Sequence, residues 1–216
     1  MEKLKTAVLI SGRGSNLQAL IDYCKSEESA AEIKLVVSNT PGAAGLYRAS
    51  EAGIFSKVIN HKNFSNRRSF EKVLTETLEN YGIELICLAG FMRLLTSSFV
   101  KYWHNKVINI HPSLLPAFKG LNTHERALEA GVRFTGCTVH YVRAEMDEGP
   151  IIVQAAVPIL QEDDPESLAN RVLIAEHHCF CHALSLIAQN KINIIDEKVF
   201  IQSSEAPGVY FLNPIE

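Results

Sequence analysis

The 216-residue chain lacks any strong excess of charge. Lysine and arginine total 21 against 24 aspartate and glutamate, a net charge of −3. So small a balance gives no global attraction to nucleic acid or to an anionic membrane, and any anionic ligand needs a local site. No apolar run is long enough to cross a bilayer. No secretory signal is visible, because Met1-Glu-Lys-Leu-Lys-Thr6 leads straight into a strand-like run. The five cysteines (Cys24, Cys87, Cys137, Cys179, Cys181) are odd in number and scattered. They suit reduced thiols in a cytoplasm better than a disulfide framework. Linkers, repeats and low-complexity tracts are also missing, so a single domain over 1–216 is the simplest organisation. With 47% hydrophobic and 21% charged residues, the chain can build one full core. The expectation is a cytoplasmic protein with small-molecule ligands, no nucleic-acid or membrane partner, and a monomeric or weakly dimeric state.

Apolar runs at 6–11, 33–38, 56–59, 85–89 and 107–110 read as strands. Helical spacing falls between them at 16–25, 45–52 and 69–81. Strands without polar alternation, separated by helices, predict a mostly parallel sheet covered on both faces, an α/β Rossmann-like architecture. The second half differs. After a helix at 123–130, strands at 136–142 and 151–157 are joined by a short connection, which predicts an antiparallel extension. Asp164 and Pro165 open a long helix reaching about residue 189. Residues 198–201 read as a last edge strand.

Gly12-Arg-Gly-Ser-Asn16 lies between the first strand and the first helix. Glycines let backbone approach a ligand, and a helix N-terminus offers free N–H groups to an anion. Ser15 and Asn16 add donors, and Arg13 adds charge. The dinucleotide fingerprint is incomplete, since Leu17 stands where its third glycine belongs. The second strand ends Val36-Val-Ser-Asn39, without an acid for a ribose diol. A mononucleotide-like phosphate fits better; a plain tight turn capping a helix is the alternative.

Val107-Ile-Asn-Ile-His-Pro-Ser-Leu-Leu-Pro116 starts as an apolar strand and then presents Asn109 and His111, two apart and so on one face. Pro112 and Pro116 stop the element and stiffen its exit. An amide and an imidazole side by side at a strand's carboxyl end suit a developing oxyanion. Asp147, in Met146-Asp-Glu-Gly-Pro150, can supply the carboxylate that keeps such a histidine protonated. Leu88-Ala-Gly-Phe-Met-Arg-Leu-Leu95 follows the fourth main strand. Gly90 permits a close turn, and Phe91, Met92, Leu94 and Leu95 suit either an apolar slot or ordinary packing.

These motifs, with Val8-Leu-Ile-Ser-Gly-Arg-Gly-Ser-Asn-Leu-Gln18 before them and Glu176-His177 after, occur in one order along nearly the whole chain. Together they resemble the folate-dependent formyltransferases, and within them the branch that formylates phosphoribosylglycinamide. The resemblance implies the formyltransferase fold, with 10-formyltetrahydrofolate as co-substrate and no metal. It implies direct attack of the glycinamide amine on the formyl carbon, in purine synthesis. Asn109 and a protonated His111 would donate to the negative oxygen, with Asp147 favouring the charged imidazole. Gly12, Arg13, Gly14, Ser15 and Asn16 would hold the ribonucleotide phosphate, with Glu176 accepting from ribose hydroxyls and His177 beside it. Arg67, Met92, Arg93, Leu94, Leu95 and Asn109 would contact the folate, as would the closing loop Val142, Arg143, Ala144, Glu145, Met146 and Asp147. Ser113, Thr123, His124 and His140 would stand just behind the reacting groups. Asn122 departs from the family pattern, which has histidine there, and Arg13 stands where a small polar residue is common.

Three alternatives are weighed against this. A transfer-RNA formyltransferase would carry a further C-terminal RNA-binding domain, whereas this chain ends at Pro214-Ile-Glu216 and is not basic. A formyltetrahydrofolate hydrolase would carry an N-terminal regulatory domain, whereas a strand begins here within a few residues of Met1. A non-catalytic binding module would not need Asn109, His111 and Asp147 together. His177-His-Cys-Phe-Cys-His182 also invites a metal site, but no second cluster completes a four-ligand set. Cys179 and Cys181 read as packing residues.

Overall fold

The computed structural model describes residues 2–202. Its main sheet runs in the order β3-β2-β1-β4-β5-β6-β7. The parallel part comprises β1 (Leu4–Ile10), β2 (Ala31–Ser38), β3 (Ser56–Val58), β4 (Leu85–Leu88) and β5 (Val107–His111). The strands β6 (Phe134–Tyr141) and β7 (Ile151–Pro158) extend it antiparallel. The helices are α1 (Ser15–Cys24), α2 (Ala44–Glu51), α3 (Arg67–Asn80), α4 (Ser97–Tyr102), α5 (Thr123–Glu129) and α6 (Pro165–Ala188).

The pleat of β1 explains the two-sided core. Ala7 and Leu9 join Phe70, Leu74 and Phe99 on one face of the sheet. Val8 and Ile10 join Leu17, Ala127 and Phe180 on the other. A strand buried on both sides has no use for polar alternation, and Ala7–Ile10 has none. The start of α6 is fixed as its sequence suggests. Asp164 accepts from the Ser167 N–H at 2.7 Å, the Ser167 hydroxyl accepts from the Asp164 N–H at 3.0 Å, and Pro165 opens the helix. Leu168, Val172, Cys179, Phe180, Ala183 and Leu184 are buried, and the helix packs against β6, β7 and α1.

The chain leaves β1 in both directions, toward β2 on one side and β4 on the other. The loops after β1 and β4 therefore diverge and leave a crevice at the strands' carboxyl ends. Ser11 ties that crevice together: its hydroxyl accepts from the Met92 N–H at 2.8 Å and donates to Asn39 Oδ1 at 2.6 Å.

Two features differ from the sequence reading. Residues 97–102 form a short helix, capped by the Thr96 side chain on the Phe99 N–H; six residues carry too little periodicity to register. Residues 198–201 do form a strand, β9 (Lys198–Ile201), but it does not edge the main sheet. It pairs with the unexpected β8 (Ile192–Ile195) in a separate hairpin, because a two-residue turn joins them.

Candidate active site

The crevice region has two arms: the glycine loop after β1, and a cavity that reaches Asn109 on β5. In the first arm, Gly14 caps α1 in a left-handed conformation with φ of 70°, and a β-carbon there would stand 2.6 Å from the Gly45 backbone. Both glycines are therefore dictated by the close crossing of this loop and α2. The Gly45 N–H donates to the Gly12 carbonyl at 3.0 Å, and Arg48 Nε donates to the Arg13 carbonyl at 2.9 Å. The loop is thus clamped from outside while the first turn of α1 faces the crevice. Asn16 is buried and donates to Glu176 Oε2 on α6 at 2.6 Å. Its Oδ1 is buried with no hydrogen-bond partner among the described residues, and so is His177 Nε2. Burial raises the Glu176 carboxyl above its ordinary range, partly offset by the Asn16 bond. Glu176 is not the solvated acid that helical glutamates usually are. The arm therefore combines an open helix start with buried polar groups that lack a partner, an arrangement suited to a phosphate and hydroxyls.

The second arm is a cavity of about 530 Å³ lined by Leu88, Phe91, Arg93, Leu94, Leu95, Asn109, His140 and residues 142–148, with Arg67 and Arg68 also on its wall. Glu71, buried on α3, accepts from the Thr96 N–H at 2.7 Å and from the Thr96 hydroxyl, which anchors the 91–96 segment. The Arg93 guanidinium lies 5.3 Å from the centre of the Phe70 ring. Met92 is not among the residues lining the cavity; the residue is 72% exposed and its backbone N–H donates to Ser11.

On β5, Asn109 Nδ2 lies 3.3 Å from His140 Nε2. His140 Nδ1 lies 2.9 Å from its neighbour's carbonyl, Tyr141 O, so Nδ1 carries the proton and Nε2 accepts from Asn109. Burial holds the His140 imidazole below its ordinary range, which keeps this arrangement neutral. One Asn109 N–H is thereby fixed, and the other has no partner among the described residues. His111 is 5% exposed. Its Nδ1 lies 3.4 Å from Asp147 Oδ1 and its Nε2 lies 3.1 Å from the Phe118 carbonyl. An acceptor thus stands near each ring nitrogen. Asp147 is itself left-handed, with φ of 53°, and its Oδ2 accepts from the Gly120 N–H at 2.7 Å.

A model of the family described as formyl transferase matches residues 4–184. The chain belongs to the formyl transferase family. It is 54% identical over 192 residues to the trifunctional purine biosynthetic protein adenosine-3 of Gallus gallus, a match covering 89% of this chain and 19% of that relative. The chain thus spans under a fifth of that protein. It is 40% identical to the phosphoribosylglycinamide formyltransferase of Haemophilus influenzae (strain ATCC 51907 / DSM 11121 / KW20 / Rd), covering 97% of this chain and 99% of that one. The crystal structure of glycinamide ribonucleotide transformylase 1 from Symbiobacterium toebii superposes with a TM-score of 0.91 at 43% identity, covering 93% and 95%.

Within this formyl transferase frame, most of the residues singled out from the sequence fall into two groups, one lining the cavity and one around the Asn16–Glu176 bond. Gly12 to Asn16, Glu176 and His177 share the first arm, and Arg67, Arg93 to Leu95 and 142–147 share the second. Ser113 is fully buried and donates to the Ala117 carbonyl at 2.6 Å, so it shapes the loop after β5 and does not face the cavity. Thr123 is buried at the start of α5, and the His124 imidazole, lowered by burial, has a buried Nδ1 with no partner among the described residues. The histidine–cysteine run on α6 is divided by the helix. Cys179 is buried, the Cys181 thiol donates to the Ala19 carbonyl, and His178 is exposed. Among the described residues no group of three or more metal-ligating side chains stands together. The sequence reading missed Arg48 and Glu71. Each supports a loop from another element, and neither sits in a motif that could mark it.

Proposed function

We propose that this chain transfers the formyl group of 10-formyltetrahydrofolate to the amine of phosphoribosylglycinamide, in purine synthesis. The observation that carries the reading is the trio of Asn109, His111 and Asp147. Asn109 has a second N–H with no partner among the described residues, His111 has an acceptor near each ring nitrogen, and the carboxylate of Asp147 lies 3.4 Å from the ring. The phosphate and ribose of the acceptor occupy the arm of Gly12 to Asn16, Glu176 and His177. The folate occupies the arm of Arg67, Arg93, Leu94, Leu95 and Val142 to Asp147. The small-molecule substrates so bring amine and formyl carbon together at the end of β5.

The neutral amine attacks the formyl carbon, a carbon–nitrogen bond forms, and the carbonyl electrons collect on oxygen. Asn109 donates to that oxygen through its second N–H, and His111 joins it when a ring N–H turns from its protein acceptor toward the developing charge. The bond from carbon to the folate nitrogen then breaks. That nitrogen takes a proton from His111 or an ordered water, and the attacking nitrogen releases one, so protons balance. The Asp147 carboxylate attracts the proton on His111 and restrains the ring. The chemistry needs neither a covalent enzyme intermediate nor a metal.

A cytoplasmic location and a monomer or weak homodimer belong to the same reading. Among the described residues, no helix is long and apolar enough to cross a membrane. The test is a spectroscopic assay with glycinamide ribonucleotide and a 10-formyl folate. Turnover that requires both substrates supports the proposal. Folate turnover without the ribonucleotide would favour hydrolysis.

A further inference from the structure

Arg143 sits at the root of the loop that carries Asp147. Its Nε donates to Glu197 Oε2 at 2.5 Å, and its Nη2 donates to Glu197 Oε1 at 3.2 Å and to Asn105 Oδ1 at 2.8 Å. Its Nη1 donates to the Val142 carbonyl at 3.0 Å. The far end of the loop returns to the same side chain. A β-carbon on Gly149 would stand 2.9 Å from Arg143 Cγ and 2.1 Å from the Tyr141 carbonyl oxygen. Both ends of the 142–150 segment therefore close on Arg143, and Glu197 occupies two of its donors.

Glu197 is an unexpected residue for its place. Ile195 pairs with Lys198, so Asp196 and Glu197 are the two turn residues of the β8–β9 hairpin, with φ of 48° and 57°. Such turns favour Asn-Gly or Asp-Gly, because a β-carbon is crowded in the left-handed region. A residue kept in a disfavoured conformation is held by its surroundings, and clusters of such residues accompany function. The two-residue hairpin itself demands this conformation, and it aims the Glu197 carboxylate at Arg143. An exposed single ion pair contributes little. This pair is mixed: the Glu197 side chain is 60% exposed, but the Arg143 side chain is only 13% exposed and its planar fork meets both carboxylate oxygens.

We propose that Glu197 is a positioning residue for formyl transfer: the hairpin turn latches Arg143 and so fixes the loop that presents Asp147 to His111. The kinetic part of this proposal rests on the reading given under Proposed function; the loop-ordering part stands without it.

Glu197→Gly tests the latch, because it removes the carboxylate while easing the turn. Thermal stability is expected to hold or rise. Amide exchange of residues 144–149, measured by mass spectrometry on the ligand-free protein, is expected to accelerate severalfold. The kcat is expected to fall and the KM for the 10-formyl folate to rise, together by roughly twofold to fivefold, the scale of one part-exposed ion pair, with the KM for the ribonucleotide unchanged. Glu197→Gln keeps the crowded turn and one acceptor oxygen, and should fall between wild type and Glu197→Gly in exchange rate. Unchanged exchange at 144–149 in Glu197→Gly would overturn the latch. A loss of stability with exchange raised evenly across the fold would also overturn it, since that marks a merely structural role. If the wild-type protein formylates nothing, the functional reading fails, and the exchange data still decide the latch.

Discussion

His111 is held between the Asp147 carboxylate and the Phe118 carbonyl and is almost fully buried. Replacing it with alanine removes a donor to the oxyanion and a proton source together. His111→Ala is expected to lower kcat by roughly two orders of magnitude or more, with ligand affinities measured by calorimetry changing far less. Near-normal turnover would remove His111 from the chemistry. Glu176 offers a test of opposite signs. Its carboxyl is raised by burial above its ordinary value of 4.5. The stability linked to its proton is present below that ordinary value and is lost as pH rises through the elevated one. At neutral pH the buried charge is thus a cost. Glu176→Gln is expected to raise Tm at pH 7, with the advantage vanishing as the buffer is acidified below 4.5. The same change should weaken ribonucleotide binding roughly tenfold, because a hydrogen bond to a charged group is lost. A variant that is less stable at pH 7, or that binds as wild type does, would contradict this account of Glu176. Asn109 and His111 were legible in the sequence because they lie two apart on one strand; Asp147 is far along the chain and was legible from its glycine- and proline-bounded loop and from family order, and the structure places it 3.4 Å from His111. The neighbours that tune them were less so. His140 is 31 residues from Asn109, and Phe118 acts through a carbonyl that any residue could supply.

At the scale of elements, the glycine loop is the most constrained segment. Gly14 is left-handed, and its α-carbon faces the Gly45 backbone. Gly14→Val places a branched side chain into that contact and into a backbone region it avoids. A large rise in KM for the ribonucleotide is expected, with folate-analogue affinity nearly unchanged, each measured by calorimetry. Equal loss of both affinities would mean general misfolding, and loss of folate affinity alone would reverse the assignment of the two arms. The parallel strands and the start of α6 were legible from unbroken apolar runs and from Asp164-Pro165. The segments that escaped are short, namely Ser97–Tyr102 and Ile192–Ile195. Their form depends on Thr96, held by Glu71, and on a two-residue turn, not on their own periodicity. Met92 escaped for a similar reason: an apolar side chain was read as a slot wall, while its backbone N–H is spent on Ser11.

Across the whole molecule, strand order does what no single motif can. The reversal between β2 and β4 around β1 opens the crevice, and the antiparallel turn-back at β6 brings His140 and the Asp147 loop to the end of β5. Sequence patterning announced the parallel sheet through unbroken apolar runs, and its antiparallel extension through the short connection between β6 and β7. That His140 stands opposite Asn109 follows from pairing register, which no local signal encodes. The central claim is that one crevice joins an amine to a formyl carbon. It is tested most directly by NMR with a ¹³C-formyl folate and ¹⁵N-amine glycinamide ribonucleotide. The expected result is a product whose ¹³C resonance is split by the ¹⁵N, formed only with enzyme and lost in His111→Ala. Accumulation of ¹³C-formate with no nitrogen-coupled product would contradict it.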